Sequence, residues 1–308
     1  MNVYQGIEEF KKQDNAVVTI GTFDGVHLGH QKIISRLGEL ASETGGESAV
    51  LTFFPHPRMV LQPDDDDLKL ITTMNERIEL LRQFGVHHLI IQPFSREFSR
   101  MSAMEFVRDI LVNKIGTKTL VIGYDHHFGR NREGSFKDLE EMASVYDYRV
   151  EEIPKQVIED AAVSSTKIRN ALQGGDIKAA NHLLGHDFTL SGQVVDGDKI
   201  GRTLGFPTAN INIAESYKLI PKTGIYACTI KVSDKMHNGM LYIGNRPAVH
   251  GKRLSIEVNI FDFNDSIYNH HITVYLKAHI REDMDFKNMD LLKKKMEEDK
   301  IKTIKVLS

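Results

Sequence analysis

The chain has 308 residues, 41% of them apolar and 26% charged. This composition excludes a disordered or fibrous protein, and the length predicts two domains at roughly 150 residues each. No uncharged apolar run approaches the roughly 18 residues of a membrane span, and the N-terminal segment lacks a signal-peptide pattern, so neither secretion nor membrane insertion is expected. A net charge of −3 without a dense basic stripe argues against a nucleic-acid partner. The single cysteine, Cys228, excludes an internal disulfide and a cysteine-based zinc site, and predicts a reducing, cytoplasmic location.

The first half of the chain alternates strand-like and helix-like segments. The apolar run 16–20 is followed by a helical period over 28–42 and by the extended run 48–54. Capping boxes at Thr73 and Ser102 start two further helices. The remaining extended runs are residues 86–92, 119–123 and 148–153. This alternation predicts an α/β doubly wound parallel sheet, with ligands at the carboxyl ends of its strands.

The second half has a different pattern. Extended runs separated by Gly, Asn, Asp and Pro cover residues 189–196, 224–232, 240–244, 255–263 and 272–280. They predict an antiparallel β-domain, a small barrel. The periodic stretch 288–300 predicts a C-terminal helix that covers it. The change of pattern over residues 184–187 predicts two domains, 1–185 and 186–308.

The segment GTFDGVHLGH, which begins at Gly21, lies between a predicted strand and a predicted helix. Free amides and the helix dipole favour phosphate at such a turn, and Gly21 and Gly29 permit a close approach of backbone and nucleotide. His27 and His30 are three residues apart, so they project to one side of the first helical turn and suit a phosphoryl centre. A zinc pair is the alternative, but no third ligand with metal-site spacing lies nearby.

A second motif, GRTLGFPTAN, begins at Gly201. Thr208 and Asn210 are two residues apart, so on an extended segment they face one side and offer oxygen ligands to Mg²⁺. An ordinary β-turn is the alternative interpretation of the Gly-Phe-Pro string. Glu257 lies in the extended run 255–263, where a carboxylate is either exposed to solvent or a general base.

A third motif, SSTKIR, covers residues 164–169 at another predicted helix start. Its hydroxyls and its arginine suit the phosphates of a nucleotide. Taken alone, the string also fits a helix N-cap followed by a surface arginine. The sequence therefore leaves two interpretations of this motif.

These motifs carry a family resemblance. GTFDGVHLGH resembles the extended HxGH motif of the nucleotidyltransferase superfamily, which also pairs it with a motif like SSTKIR. In this order, GTFDGVHLGH and GRTLGFPTAN resemble the prokaryotic bifunctional riboflavin kinases/FMN adenylyltransferases, also called FAD synthetases, over roughly residues 17–299. Similar family strings occur at TFFPHP (52–57), GYDHHFG (123–129), IGNRP (243–247) and EVNIFDF (257–263).

The resemblance implies two ATP-dependent reactions on small-molecule substrates. The N-terminal domain would adenylylate FMN to FAD and release pyrophosphate, with His27 and His30 stabilising the transition state. The C-terminal domain would phosphorylate riboflavin to FMN, with Glu257 accepting the proton of the ribityl 5′-hydroxyl.

The resemblance also assigns binding positions. The N-terminal ATP site would use Gly21, Asp24, Gly29, Ser164, Thr166 and Arg169. Flavin would lie against Phe54, Asp125 and Phe128. In the barrel, ATP would meet Gly201, Arg202, Gly205, Pro207, Thr208 and Asn210, the last two also binding Mg²⁺.

Some positions depart from the family pattern, and other functions remain open. Asp196 begins a DGD string where the family often has HGD, and Tyr124, His126 and Ala248 replace commoner residues. These departures bear on rates and affinities rather than on the reaction class. The alternatives are a single-activity FMN adenylyltransferase with a flavin-binding barrel, and a non-enzymatic flavin sensor.

Overall fold

A computed structural model describes residues 1–64, 68–124, 126–154, 163–197, 200–248, 251–286 and 288–308. The chain divides into two compact units, one of Met1–Leu70 with Met74–Ser164 and one of Ile71–Thr73 with Ser165–Ser308. The helices Ser165–Gly174 and Ile177–Leu184, which the predicted boundary assigns to the first domain, thus group with the second unit. The functional boundary at residue 185 stays a prediction.

The first unit contains a six-stranded sheet in which each neighbouring pair is parallel. The strands are β1 (Asn2–Tyr4), β2 (Ala16–Ile20), β3 (Glu47–Phe54), β4 (His88–Pro93), β5 (Thr117–Gly123) and β6 (Arg149–Ile153). Their order is β1-β4-β3-β2-β5-β6. The direction of strand addition reverses between β2 and β5, which makes this the switch point of a doubly wound sheet. The predicted fold class is confirmed.

Helices connect the strands of this sheet. They are α1 (Leu28–Thr44), α2 (Pro57–Leu61), α3 (Met74–Gln83), α4 (Ala103–Glu105), which continues as a π-helical stretch (Phe106–Ile115), and α5 (Phe136–Tyr146). The capping box at Ser102 is confirmed, because its hydroxyl accepts from the Glu105 amide while the Glu105 carboxylate accepts from the Ser102 amide. Gly116 ends the π-helical stretch in the left-handed conformation.

Two apolar clusters cover the two faces of the sheet. Val17 belongs to one and Val18 to the other, because consecutive strand residues point to opposite faces. Leu37 of α1 packs in the Val17 cluster, and Ile110 of the π-helical stretch packs in the Val18 cluster. Burial on both faces explains why the central strand β2 is apolar at nearly every position.

The second unit contains a closed antiparallel barrel, as predicted. Its strands are β7 (Phe188–Val195), β8 (Ala209–Asn212), β9 (Gly224–Val232), β10 (Lys235–Ala248), β11 (Gly251–Ile260) and β12 (His271–Arg281), ordered β10-β11-β8-β7-β12-β9. Alternate residues such as Cys228, Leu241, Val258 and Leu276 are fully buried and face the lumen. Their neighbours along each strand therefore form the outer wall.

The remaining helices lie in the second unit. They are α6 (Ser165–Gly174), α7 (Ile177–Leu184), the short α8 (Ile200–Thr203) and α9 (Met289–Leu307). The predicted C-terminal helix is confirmed, with Asn288 as its N-cap. Asn181 of α7 donates to the Leu276 carbonyl of β12 and accepts from the Phe188 amide of β7, both at 2.8 Å. These bonds tie α7 to the barrel wall.

Candidate active sites

Two histidine rings stack at the turn between β2 and α1. His27 is the N-cap of α1, and its Nδ1 accepts from the His30 backbone amide at 3.3 Å. The ring centroids lie 3.6 Å apart, with the planes inclined by 13°. Because the turn follows β2, the pair lies at the carboxyl edge of the sheet beside the switch point, where ligands of such folds bind.

His30 is half-buried as a residue, but the Nδ1 atom of its ring is buried. Burial lowers the pKa of His30 well below its usual value, and the neighbouring His27 and Arg77 lower it further. Among the described residues, Nδ1 of His30 has no hydrogen-bond partner. A buried polar atom without a partner is costly, so a ligand that bonds to it is favoured at this position.

The turn that carries these histidines has an unusual backbone. Phe23 and Val26 have φ angles of 49° and 40°, a region that side chains with a Cβ rarely adopt. Beneath the turn, Asp24 and Arg77 are both buried, and Arg77 Nη2 lies 3.5 Å from Asp24 Oδ1. A Cβ at Gly21 would press against the Phe23 ring. The ion pair links the turn to α3.

The other residues that the sequence predicts for the adenylylation reaction occupy varied positions. Phe54 is the last residue of β3 and is half-buried, whereas Phe128 is buried in the core, with its ring 5.9 Å from that of Phe106. Asp125 lies outside the described residues. Gly29 is buried in the first turn of α1. Ser164 and Thr166 are exposed and Arg169 is half-buried at the start of α6. Their convergence on one nucleotide stays a prediction.

The motif GRTLGFPTAN forms a tight loop that leads into β8. The Phe206 amide donates to the Gly201 carbonyl at 2.8 Å, and Gly205 has a φ of 86°. A Cβ at Gly201 would collide with the Phe206 carbonyl oxygen. Asn259 of β11 donates to the Pro207 carbonyl at 2.7 Å. The loop is thus fixed both by its own turn and by the barrel wall.

Glu257 is buried on the outer face of this wall. In the strand register it lies opposite Asn210 of β8 and Tyr242 of β10. Its side chain is 7% exposed, so the alternative of a solvent-exposed carboxylate is wrong. Thr208 Oγ1 donates to Oε2 at 3.2 Å, and Ser255 Oγ donates to Oε1 at 2.8 Å. The structure therefore brings Thr208, Asn210 and Glu257 together.

A pocket of about 300 Å³ has Thr208 of this group in its lining. Arg202, Pro207 and Thr208 of the loop form part of its lining, together with Val258 and Ile260 of the lumen face. It combines apolar walls with a few polar groups, as small-molecule sites do.

Comparison with known proteins identifies the family. A model described as FAD synthetase matches residues 9–167, and one described as riboflavin kinase matches residues 184–307. The bifunctional riboflavin kinase/FMN adenylyltransferase of Bacillus subtilis is 37% identical over 97% of this chain and 94% of its own length, and that of Escherichia coli K12 is 34% identical over 98% and 96%. The chain belongs to this bifunctional family.

The chain therefore pairs an N-terminal FAD synthetase domain with a C-terminal riboflavin kinase domain, and both are ATP-dependent transferases. A crystal structure from Streptococcus pneumoniae, titled a macrolide-efflux protein, has a TM-score of 0.88 and 31% identity, covering 98% of this chain and 97% of that one. In the ranges that the structure describes, no helix is long and apolar enough to cross a membrane.

The group of Thr208, Asn210 and Glu257 offers oxygen atoms of the kind that Mg²⁺ binds. Thr208 directs its proton toward Glu257, which leaves the lone pairs of its oxygen available to a cation. Asn210, opposite Glu257 in the strand register, carries an amide oxygen. The described residues contain no cluster of three or more His, Cys, Asp or Glu side chains able to hold a metal. Mg²⁺ commonly takes few protein ligands and completes its shell with water and substrate phosphates.

Three residues near the sites were not among the sequence predictions. Ser255 and Asn259 flank Glu257 at a spacing of two along β11, which places both on the face of Glu257 in the sequence but gives them no role there. Arg77 gave no such signal, because its partner Asp24 is distant in the sequence and only the fold brings them together.

Proposed function

We propose that the two reactions of the family use the two groups of residues described above. FMN adenylylation takes place beside His27 and His30, and riboflavin phosphorylation takes place beside Thr208, Asn210 and Glu257. The observation that supports this most strongly is the buried Glu257 carboxylate, hydrogen-bonded to Thr208 and opposite Asn210 in the strand register.

In the kinase reaction, an alcohol must become a nucleophile. The Glu257 carboxylate takes the proton of the riboflavin 5′-hydroxyl as the oxygen of that hydroxyl bonds to the γ-phosphorus of ATP and the bond to ADP breaks. Gly201, Gly205 and Pro207 shape the loop that meets the phosphates, with Arg202 beside it. Thr208 and Asn210 would hold Mg²⁺, which neutralises phosphate charge when bound.

In the adenylylation reaction, the nucleophile is already an ionised phosphate and needs no base. An FMN phosphate oxygen bonds to the α-phosphorus of ATP as pyrophosphate leaves. His27 and His30 donate hydrogen bonds to the charge that develops.

The remaining predicted residues bind the substrates. Those that hold the pyrophosphate are Ser164, Thr166 and Arg169, and those that contribute to the flavin region are Phe54, Asp125 and Phe128. Gly21, Asp24 and Gly29 form the turn on which ATP lies.

We also assign the protein to the cytoplasm and the functional boundary to residue 185. The lone cysteine, Cys228, is a buried free thiol, in keeping with a reducing compartment. Riboflavin, FMN and ATP are the small-molecule partners. Subcellular fractionation tests the location.

Removal of the metal with EDTA tests the role of Mg²⁺. Both half-reactions are expected to stop when EDTA removes Mg²⁺ and to resume when Mg²⁺ is restored.

The variant Glu257→Gln tests the kinase assignment. We expect FMN formation from riboflavin to fall by on the order of 10² to 10⁴, while FAD formation from supplied FMN stays at the wild-type rate. Asp234→Asn, at the exposed turn between β9 and β10, is the matched control and is expected to retain both activities. Wild-type kinase activity in Glu257→Gln contradicts the assignment of the base.

A further inference from the structure

Each oxygen of the Glu257 carboxylate has its own hydroxyl donor. Ser255 lies two residues before Glu257 on β11, so both side chains project from the outer wall of the barrel. Ser255 Oγ donates to Oε1 at 2.8 Å, and Thr208 Oγ1 donates to Oε2 at 3.2 Å. The family chemistry described above gives Thr208 a task and gives Ser255 none.

The two donors differ in how firmly the fold holds them. Ser255 lies within a strand and is paired in register with Gly244 of β10. Thr208 precedes β8, in the loop that meets ATP. A glutamate has three rotatable side-chain bonds, so its carboxylate needs a fixed partner to keep one orientation. Ser255 is the donor whose own backbone is held by the ladder.

We propose that Ser255 is a positioning residue of the riboflavin kinase site, holding Oε1 of Glu257 so that Oε2 accepts the proton of the substrate hydroxyl. This inference rests on the proposed role of Glu257 as the base. With Oε1 bonded to Ser255, Oε2 lies on the side of Thr208, where the loop from Gly201 joins β8. The proton passes from the riboflavin hydroxyl to Oε2 as the bond to phosphorus forms, and Ser255 keeps its own proton throughout.

Steady-state kinetics of the full-length enzyme test the proposal. In Ser255→Ala we expect kcat for riboflavin phosphorylation to fall 10-fold to 100-fold, with KM for riboflavin and for ATP within twofold of wild type, because orientation of the base is lost and substrate contacts remain. Ser255→Thr retains the hydroxyl and is expected to restore most of kcat. A wild-type kcat in Ser255→Ala, or a raised KM with kcat unchanged, overturns the proposal.

The matched control is Ser191→Ala. Ser191 Oγ lies 3.1 Å from Thr273 Oγ1 and bridges β7 and β12, so its removal also deletes a hydroxyl contact between barrel residues. We expect wild-type kinase kinetics from this variant. FAD formation from supplied FMN, measured in every preparation, verifies that the enzyme is correctly quantified, and circular dichroism with an unchanged KM for riboflavin verifies that the barrel is folded.

A double variant separates positioning from simple structural support. If Ser255 acts only through Glu257, adding Ser255→Ala to Glu257→Gln costs less than a further twofold in kcat. If the double variant loses kcat by the product of the two single-variant losses, the positioning role is overturned. Wild-type activity in Glu257→Gln refutes the proposed base and this inference with it, whereas a slow Glu257→Gln beside an unaffected Ser255→Ala refutes this inference alone.

Discussion

Glu257 is a buried residue and His30 carries a buried Nδ1 atom, but the surroundings of these two groups differ. Glu257 accepts a hydroxyl proton at each oxygen, which offsets the cost of burying a carboxylate. His30 has an Nδ1 without a partner among the described residues, and its lowered pKa keeps the ring neutral. A neutral imidazole still donates one hydrogen bond, which suits stabilisation of a developing charge rather than base catalysis.

His30→Ala tests that role. Because one donor to the transferring phosphoryl group is removed, we expect FAD formation to slow by on the order of 10² or more while FMN still accumulates from riboflavin. Separation of FMN from FAD over time gives both rates in one assay. His271→Ala, on an exposed residue of β12, is the control and is expected to match wild type. Unchanged FAD output from His30→Ala would leave the ring a purely structural residue.

The lowered pKa of His30 also predicts a pH dependence of stability. Below pH 6.5 the unfolded chain protonates this histidine while the folded chain does not, until the pH reaches the lowered pKa. The unfolded state therefore binds more protons in that window, and the free energy of unfolding falls as pH decreases through it.

Urea denaturation of wild type and His30→Gln between pH 7 and pH 5 measures this effect. We expect the variant to show a smaller decrease, by up to about 1.4 kcal/mol per pH unit, the value for one proton. His279, whose pKa burial also lowers, is present in both proteins and cancels in the comparison. An equal decrease of the free energy of unfolding with pH in the two proteins would contradict a lowered pKa of His30.

At the scale of elements, the loop from Gly201 to Asn210 depends on a backbone contact. The Gly201 Cα lies against the Phe206 carbonyl, where a Cβ has no room. The same loop is held to β11 through the bond from Asn259 to Pro207. Displacement of the loop would therefore move Thr208 away from Glu257.

Gly201→Ala is expected to reduce FMN formation at least 10-fold, because the loop must shift to admit the methyl group. FAD formation from supplied FMN is expected to stay near wild type. Gly38→Ala provides the control, since a Cβ there meets nothing within 4 Å and alanine favours the helix. Initial rates of both reactions give the comparison, and equal kinase rates for Gly201→Ala and wild type would show that the loop tolerates a Cβ.

Long, strongly patterned elements were predictable and short ones were not. The predicted runs 16–20 and 224–232 coincide with β2 and β9. β1 has three residues and exists through pairing with β4 at the sheet edge, and β8 has four residues. Neither is long enough to show a period of its own. Pairing with a distant strand, rather than local sequence, forms these two elements.

For the whole molecule, the functional boundary and the compact units divide the chain differently. α7 buries Ile177, Ala180 and Leu184, and its Asn181 bonds to β7 and β12. A cut at residue 185 leaves this helix on the N-terminal fragment. A cut after Ser164 leaves it with the barrel but removes Thr166 and Arg169 from the histidine-bearing part.

Four fragments test the division. We expect 186–308 and 165–308 both to convert riboflavin to FMN, with 186–308 less stable by ~3 kcal/mol because the apolar face of α7 is lost. We expect 1–185 to make FAD from FMN, and 1–164 to fail because it lacks Thr166 and Arg169. Urea denaturation and the two assays provide the measurements. A folded 186–308 fragment that binds riboflavin without turnover would contradict the boundary.

The sequence by itself determined the fold class, the order of the main elements, the two activities and the motifs on which they depend. The fold class and the order of the elements follow from side-chain periodicity and helix caps, which are local properties of the chain. The two activities are implied by the resemblance of its motifs to those of the bifunctional family. Only the tertiary structure decided that Glu257 is buried, that it lies opposite Asn210, and that Asp24 pairs with Arg77. Burial and pairing of that kind depend on strand register and barrel closure, which bring together residues far apart in the chain.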